Sequence, residues 1–296
     1  MSFISLSILL QLLINGILFG TMYGISAIGL SLIFGTMEIV FIAQGTMIIL
    51  AAYGCFWLFQ FWSIDPYVSI LLVVPASVIV GMVTYQVLFR KVARAGKFPS
   101  LLIAFGLMAL LENLMSIAFS GNSRAIRSSY ASYAFTVLSL KISFTRLMAF
   151  VMALLGTLGV TLFLNRTLLG KAVKAASENL EYATLVGINP HRVNTITFGL
   201  GIGLAGLAGV ATATSYSFDP YSGFVFGLKA MIALALGGMG SVIGAFLGGV
   251  LLGVVENYAA FFLTGGWADV ISYGVFLLVL LFKPEGLFSL DTSTKL

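Results

Sequence analysis

Two carboxylates, Glu112 and Glu256, lie inside long apolar runs, and each is followed at once by an asparagine. An ionised group at membrane depth is costly, so it faces a cavity or a partner. Carboxylates so placed can relay protons, border a path through the chain, or cap and tie helices near one end of a bundle. Asn15, Gln44 and Asp219 are cheaper to bury, and each stands beside or near a glycine, Gly45 among them. These six residues, Asn15, Gln44, Gly45, Glu112, Asp219 and Glu256, are the candidates to line a path through the chain. Lys229, which opens a short apolar segment, reads as an interfacial residue. Covalent and metal chemistry are not expected: Cys55 and His191 are the only cysteine and histidine, and the phosphate-loop pattern Gly-x-x-x-x-Gly-Lys-Ser/Thr is absent. No cofactor is expected on this chain, and any nucleotide must bind elsewhere.

The elements that would hold such residues follow from composition. Of 296 residues, 60% are apolar and 8% charged, with a mean hydropathy of +1.09, more apolar surface than a water-soluble core can hide. About 20 apolar residues span a bilayer as a helix. Runs at 8–33, 38–61, 67–88, 100–119, 146–164, 193–213, 242–262 and 267–282 predict an all-α polytopic membrane protein of about eight spans, a single membrane domain filling residues 1–296. A shorter run, 224–236, covers about 20 Å at ~1.5 Å per residue and predicts a re-entrant or half helix. The first run lacks the cationic leader of a cleaved signal and is expected to stay. Glycines cluster at 199–209 and 237–253. They predict close helix packing and, at Gly237-Gly238-Met239-Gly240-Ser241, a helix break beside a cavity.

The +5 net charge resides in loops. Arg90, Lys91, Arg94 and Lys97 occupy one connection, and Arg166, Lys171, Lys174 and Arg192 another; both should be cytoplasmic. Alternation of spans then turns the loop with Arg124, Arg127 and Lys141 outward, against the simple charge rule. Confined charge of this kind reports contact with lipid headgroups, and nucleic acid is excluded as a partner. Glu112-Asn113 with Gly121 and Glu256-Asn257 with Gly265 share one spacing, a thin echo of duplication.

Within the second basic loop, 166–192, Leu169, Val173, Ala176, Leu180 and Ala183 recur at helical steps, with Lys171, Lys174, Glu178 and Glu181 opposite and the small Ala172 and Ala175 between. Gly187-Ile188-Asn189-Pro190 ends the pattern. A short cytoplasmic amphipathic helix is expected, either lying in the headgroups or docking a cytoplasmic partner through its alanine flank. Acidic residues and a small-residue flank favour docking.

The chain resembles the membrane subunits of branched-chain amino acid ABC transporters. The likeness runs through Arg166-Thr-Leu-Leu-Gly170-Lys-Ala-Val-Lys-Ala175, Ala183-Thr-Leu-Val-Gly187-Ile188-Asn189, Phe198, Leu204-Ala205-Gly206, Lys229-Ala230, Gly237-Gly238-Met-Gly240-Ser241 and Lys283-Pro284-Glu-Gly286-Leu-Phe288. The resemblance implies that Gly170, Ala172, Ala175, Ala176, Glu178, Gly187 and Ile188 couple to a separate ATPase. It also implies a second related permease, two ATPase subunits carrying ATP and Mg, an extracytoplasmic solute-binding protein, and a bacterial or archaeal inner or plasma membrane. Arg124 and Arg127, on the outward loop, would either meet acidic residues of the binding protein by charge complementarity or be drawn to outer-leaflet headgroups. Where the family commonly has Asn-Phe-Ala-His-Gly, this chain has Phe41-Ile42-Ala43-Gln44-Gly45, which leaves urea, short amides or another amino acid class open as solutes. From the residues alone, a proton-coupled secondary carrier using Glu112 and Glu256 stays a rival, while a passive channel lacks the filter-like repeat or ring of charge it needs.

Overall fold

Inside a bilayer, backbone polar groups must be satisfied internally, and a helix does this within one segment. The computed structural model describes residues 6–92, 96–128, 130, 133–137, 140–263, 266–283 and 286–288. Its first half holds α1 (Leu6–Met37), α2 (Gln44–Trp62), α3 (Ile70–Thr84), α4 (Arg90–Val92) and α5 (Lys97–Phe119), with a π-helical turn (Tyr85–Phe89) joining α3 to α4. Its second half holds α6 (Phe144–Arg166), α7 (Leu168–Glu178), α8 (Leu180–Leu185), α9 (Pro190–Ser215), α10 (Ser222–Gly237), α11 (Val242–Phe262) and α12 (Gly266–Phe282). Among the described residues, seven helical stretches are long and apolar enough to cross a membrane, and α10 and α12 are shorter apolar helices. This is the polytopic all-α architecture the sequence predicts. At 16 residues, α10 covers about 24 Å, still short of a ~30 Å hydrocarbon core.

Two features depart from the expected runs. The run 38–61 is not one helix: Glu38 takes a left-handed backbone (φ 53°), and α2 starts only at Gln44. The irregular residues between are covered by protein, as such backbone requires at membrane depth. Phe41 is fully buried, its ring 4.9 Å from Phe198 of α9 and 5.7 Å from Phe89 of the π turn. The loop between α5 and α6, read only for its charge, contains an antiparallel hairpin of β1 (Ala134–Val137) and β2 (Leu140–Ser143). The Gln11 side chain grips it by accepting from Lys141 N (2.7 Å) and donating to Lys141 O (2.8 Å).

At the centre, α1 and α9 are the most deeply buried spans. Glycine makes their contacts possible. Gly16, Gly20 and Gly24 step down α1 in fours against α11, where a Cβ on Gly249 or Gly253 would stand 2.3 Å from the Cα of Gly24 or Gly20. With lipid as apolar as leucine, such close van der Waals approach is what draws helices together. On α9, Gly199 and Gly203 receive Met82 and Val78 of α3, Gly201 meets Gly29 of α1, and Gly209 meets the Ile48 carbonyl of α2.

Candidate functional site

At one end of the bundle, α7 and α8 lie across the ends of the spans. The Thr167 hydroxyl caps α7 by accepting from Gly170 N at 2.9 Å. Where the sequence predicts one amphipathic helix, there are two, because Asn179 turns extended and its Oδ1 accepts from Glu181 N and Tyr182 N, each at 3.0 Å. An asparagine cap satisfies orphan amides and so starts a new helix. Asn189 repeats the device, accepting from His191 N and Arg192 N to open α9 with Pro190 at its first turn.

Val173, Ala176 and Ala183 are buried against the bundle as their spacing predicts, whereas Leu169 and Leu180 remain partly exposed. Ala172, Ala175 and Ile188 pack on the bundle core too. Gly170 seats on α6, since a Cβ there would meet the Phe163 carbonyl at 2.1 Å. The alanines therefore hold the helix pair to the spans. Gly187 is exposed and Glu178 is exposed at the rim of a polar cavity, and besides Leu169 and Leu180 the apolar side chains left exposed are Leu168, Tyr182, Leu185 and Val186. Sequence reasoning passed over these four, although they fall off the Val173/Ala176/Ala183 stripe.

Beneath α7 and α8 a polar cavity of about 680 Å³ is lined by Glu38, Arg90, Ser100, Glu181, His191 and Asn194. Arg90 and the 166–192 segment thus share one end, as two cytoplasmic basic loops should. A second cavity of about 240 Å³ adjoins Gly240 and Ser241, at the helix break expected there; Gly238 and Gly240 take φ of 97° and 90°.

Midway along the bundle, Gln44 is fully buried and its Nε2 donates to Gly201 O at 3.2 Å. Since Gly201 lies near the middle of α9, α2 begins inside the bilayer. Gly45 is wedged on α10, where a Cβ would meet the Gly223 carbonyl at 1.9 Å. Asn15 is half-buried on α1 next to the glycine seam.

Lys229 is not interfacial. It is buried, with Nζ 2.5 Å from Glu256 Oε1 on α11 and 3.0 Å from Asp269 Oδ1 on α12, and 5.5 Å from the Tyr23 ring centre on α1. Burial of a cation at this depth demands such partners, and four helices meet around it. Asp269 was missed, although it is the one acidic residue in the last apolar run. Asp219 holds the turn that leads into α10: its carboxylate accepts from Tyr221 N, Ser222 N and the Ser222 hydroxyl at 2.9, 3.1 and 2.6 Å. Glu112 stands apart from Glu256, on α5, and accepts from the Thr46 hydroxyl at 3.5 Å.

At the opposite end, Arg124 is clasped. Its guanidinium donates to Phe119 O at 2.6 Å and stacks 5.2 Å from the Trp57 ring centre, while its backbone exchanges two 2.8 Å hydrogen bonds with Phe218. Arg127 is exposed. Nearby, Tyr67 stacks on Tyr130, and burial pushes the Tyr67 phenol up to about 12. Of the residues singled out from sequence, Arg94, Gly265 and Pro284 lie outside the described residues.

Residues 12–280 match the family described as "Branched-chain amino acid transport system / permease component". The chain is 33% identical to the high-affinity branched-chain amino acid transport system permease protein BraD of Pseudomonas aeruginosa, over 94% of this chain and 95% of that one. It is 30% identical to LivH of Salmonella typhimurium over 94% of each chain, and 25% identical to a probable LivH of Methanocaldococcus jannaschii over 95% and 93%. No solved structure matches.

Proposed function

Because this chain belongs to the family of branched-chain amino acid transport system permease components, a multi-pass protein of the plasma membrane, we propose that it forms the solute path of an ATP-binding cassette importer. In this reading the solute is a branched-chain amino acid. The partners are a second, related permease, two cytoplasmic ATPase subunits that hold ATP and Mg, and an extracytoplasmic binding protein. The chain itself catalyses no covalent step.

The observation that carries the coupling is the helix pair α7–α8. One face is fixed to the spans through Gly170, Val173, Ala176 and Ala183, and the other leaves Tyr182, Leu185 and Val186 exposed at that end of the bundle, which this reading turns to the cytoplasm. An apolar patch on a helix already seated at its other face is what a soluble partner can grip. Movement of that partner is transmitted through the α6–α7 seat to the spans, which alternate between outward and inward openings. The proton-carrier alternative needs Glu256 as a free relay, and here Glu256 is paired with Lys229. Urea or short amides remain the alternative cargo for the altered Phe41–Gly45 stretch.

The test is uptake into proteoliposomes holding the full assembly. Accumulation of leucine, isoleucine or valine that requires internal ATP and the binding protein, and survives a protonophore, supports the importer. Uptake by this chain alone that collapses with the protonophore overturns it.

A further inference from the structure

Most of the lipid-facing surface is apolar: α3 presents Leu71, Ile79 and Val83, α6 presents Leu155 and Leu158, and α12 presents Leu277 and Leu281. α5 breaks this pattern. Between exposed Phe105 and Ile117, it brings Glu112, Asn113 and Ser116 to one side, at helical spacings of three and four. Glu112 is half-buried, Asn113 exposed, and Glu112 lies seven residues, about 10 Å, from the end of α5. Acyl chains cannot solvate a carboxylate and a primary amide at that depth.

Two other helices bring hydroxyls to the same place. Thr46, in the first turn of α2, donates to Glu112 Oε1 at 3.5 Å. Tyr221, about half exposed just before α10, donates its phenol to Ser116 Oγ at 3.1 Å. Both reach α5 because Gly45 and Gly223 let α2 and α10 touch backbone to backbone. Among the described residues, Thr46 is the one partner of Glu112, in contrast to Glu256 with its lysine. Among the described residues the carboxylate therefore has no compensating cation.

We propose that Thr46, Glu112, Asn113, Ser116 and Tyr221 line the water-filled solute path, and that the Glu112 carboxylate receives the ammonium group of an amino acid in transit. This rests on the transport reading above and assigns residues to it. An amino acid leaving water must keep both charged ends satisfied. Glu112 supplies the anion for one end, and the Ser116 hydroxyl, which accepts from Tyr221 and keeps its own hydrogen, supplies a donor for the other. The solute's apolar side chain meets the aliphatic and aromatic residues of the same wall. A neutral solute such as urea has no use for the carboxylate.

The experiment uses the assembled transporter in membrane vesicles, in a Cys55→Ala background. Single cysteines at Asn113, Ser116 and Tyr221 should react with a hydrophilic, membrane-impermeant maleimide, while cysteines at the lipid-facing Leu71 and Ile79 of α3 should not. Labelling does not require transport, so it reports on this surface even if the wild-type assembly shows no ATP-driven uptake, the result that overturns the importer reading instead. In assemblies that retain their ATPase subunits, Glu112→Gln should lower leucine uptake by about tenfold or more, the effect of losing one charge-assisted hydrogen bond. Glu112→Asp should restore part of it. Absence of labelling at all three polar positions, or uptake by Glu112→Gln at the wild-type rate, overturns the proposal.

Discussion

Lys229 Nζ lies 2.5 Å from Glu256 Oε1, and this contact fastens α10, too short to cross the bilayer unaided, to α11 and, through Asp269, to α12. Removing one partner of a buried ion pair costs more than removing both, because the survivor is left charged without compensation. Lys229→Met is expected to lower resistance to unfolding in detergent by about 3 kcal/mol. Glu256→Gln added to it should return a good part of that loss. A double variant less stable than Lys229→Met alone means that the pair is not what holds α10.

The seam between α1 and α11 gives a sharper steric prediction. A methyl group at Gly253 has nowhere to go, since its neighbour is the Gly20 backbone 2.3 Å away. Gly253→Ala should push the helices apart and sharply reduce folded yield. The same change at Gly106 or Gly159, which have open space around them, should be neutral or stabilise by up to about 1 kcal/mol, alanine being the better helix former. Thermal melts of the three variants in one detergent separate these outcomes.

The exposed edge of α8 predicts a loss of coupling without a loss of fold. Leu185→Arg touches nothing in this chain's core, so the melting temperature should hold. ATPase subunits should no longer copurify, and ATP-driven uptake should fall. Ala176→Leu should do the reverse in order, destabilising first, because Ala176 is buried under α7 and overpacking such a site costs about 1–3 kcal/mol. Normal copurification of ATPase chains with Leu185→Arg leaves α8 without a docking role.

These contrasts show what the sequence could and could not tell. Apolar length located the spans, and the Val173/Ala176/Ala183 spacing located the seated face of α7–α8, because both depend on local period. The break at Asn179 was hidden because a capping asparagine matters only once its side chain turns back on the following amides. The start of α2 at Gln44 was hidden for a different reason: nothing in the hydropathy of 38–43 separates a covered irregular strand of chain from a helix. Lys229 looked interfacial because its two carboxylate partners come from segments 27 and 40 residues away, and pairing at that distance exists only in the fold. Arg124 and Arg127 read as equals in sequence, yet the fold separates them.

That separation yields the last prediction. Arg124 is held by a 2.6 Å hydrogen bond to Phe119 O and by the faces of Phe56 and Trp57, at 5.3 and 5.2 Å, so it ties the end of α5 to α2. Arginine over an aromatic face contributes about 0.5–2 kcal/mol, more as water is excluded. Arg124→Ala should therefore lower the melting temperature and loosen the outer loop, visible as faster proteolysis between α5 and the hairpin. Arg127 is exposed and has no such partner among the described residues, so Arg127→Glu should leave the melt unchanged. If a binding protein docks here through acidic residues, the reversal slows encounter, and the concentration of binding protein needed for half-maximal uptake should rise, most clearly at low salt, where surface charges act at longer range. An unchanged requirement with Arg127→Glu at low ionic strength removes this loop from the docking surface.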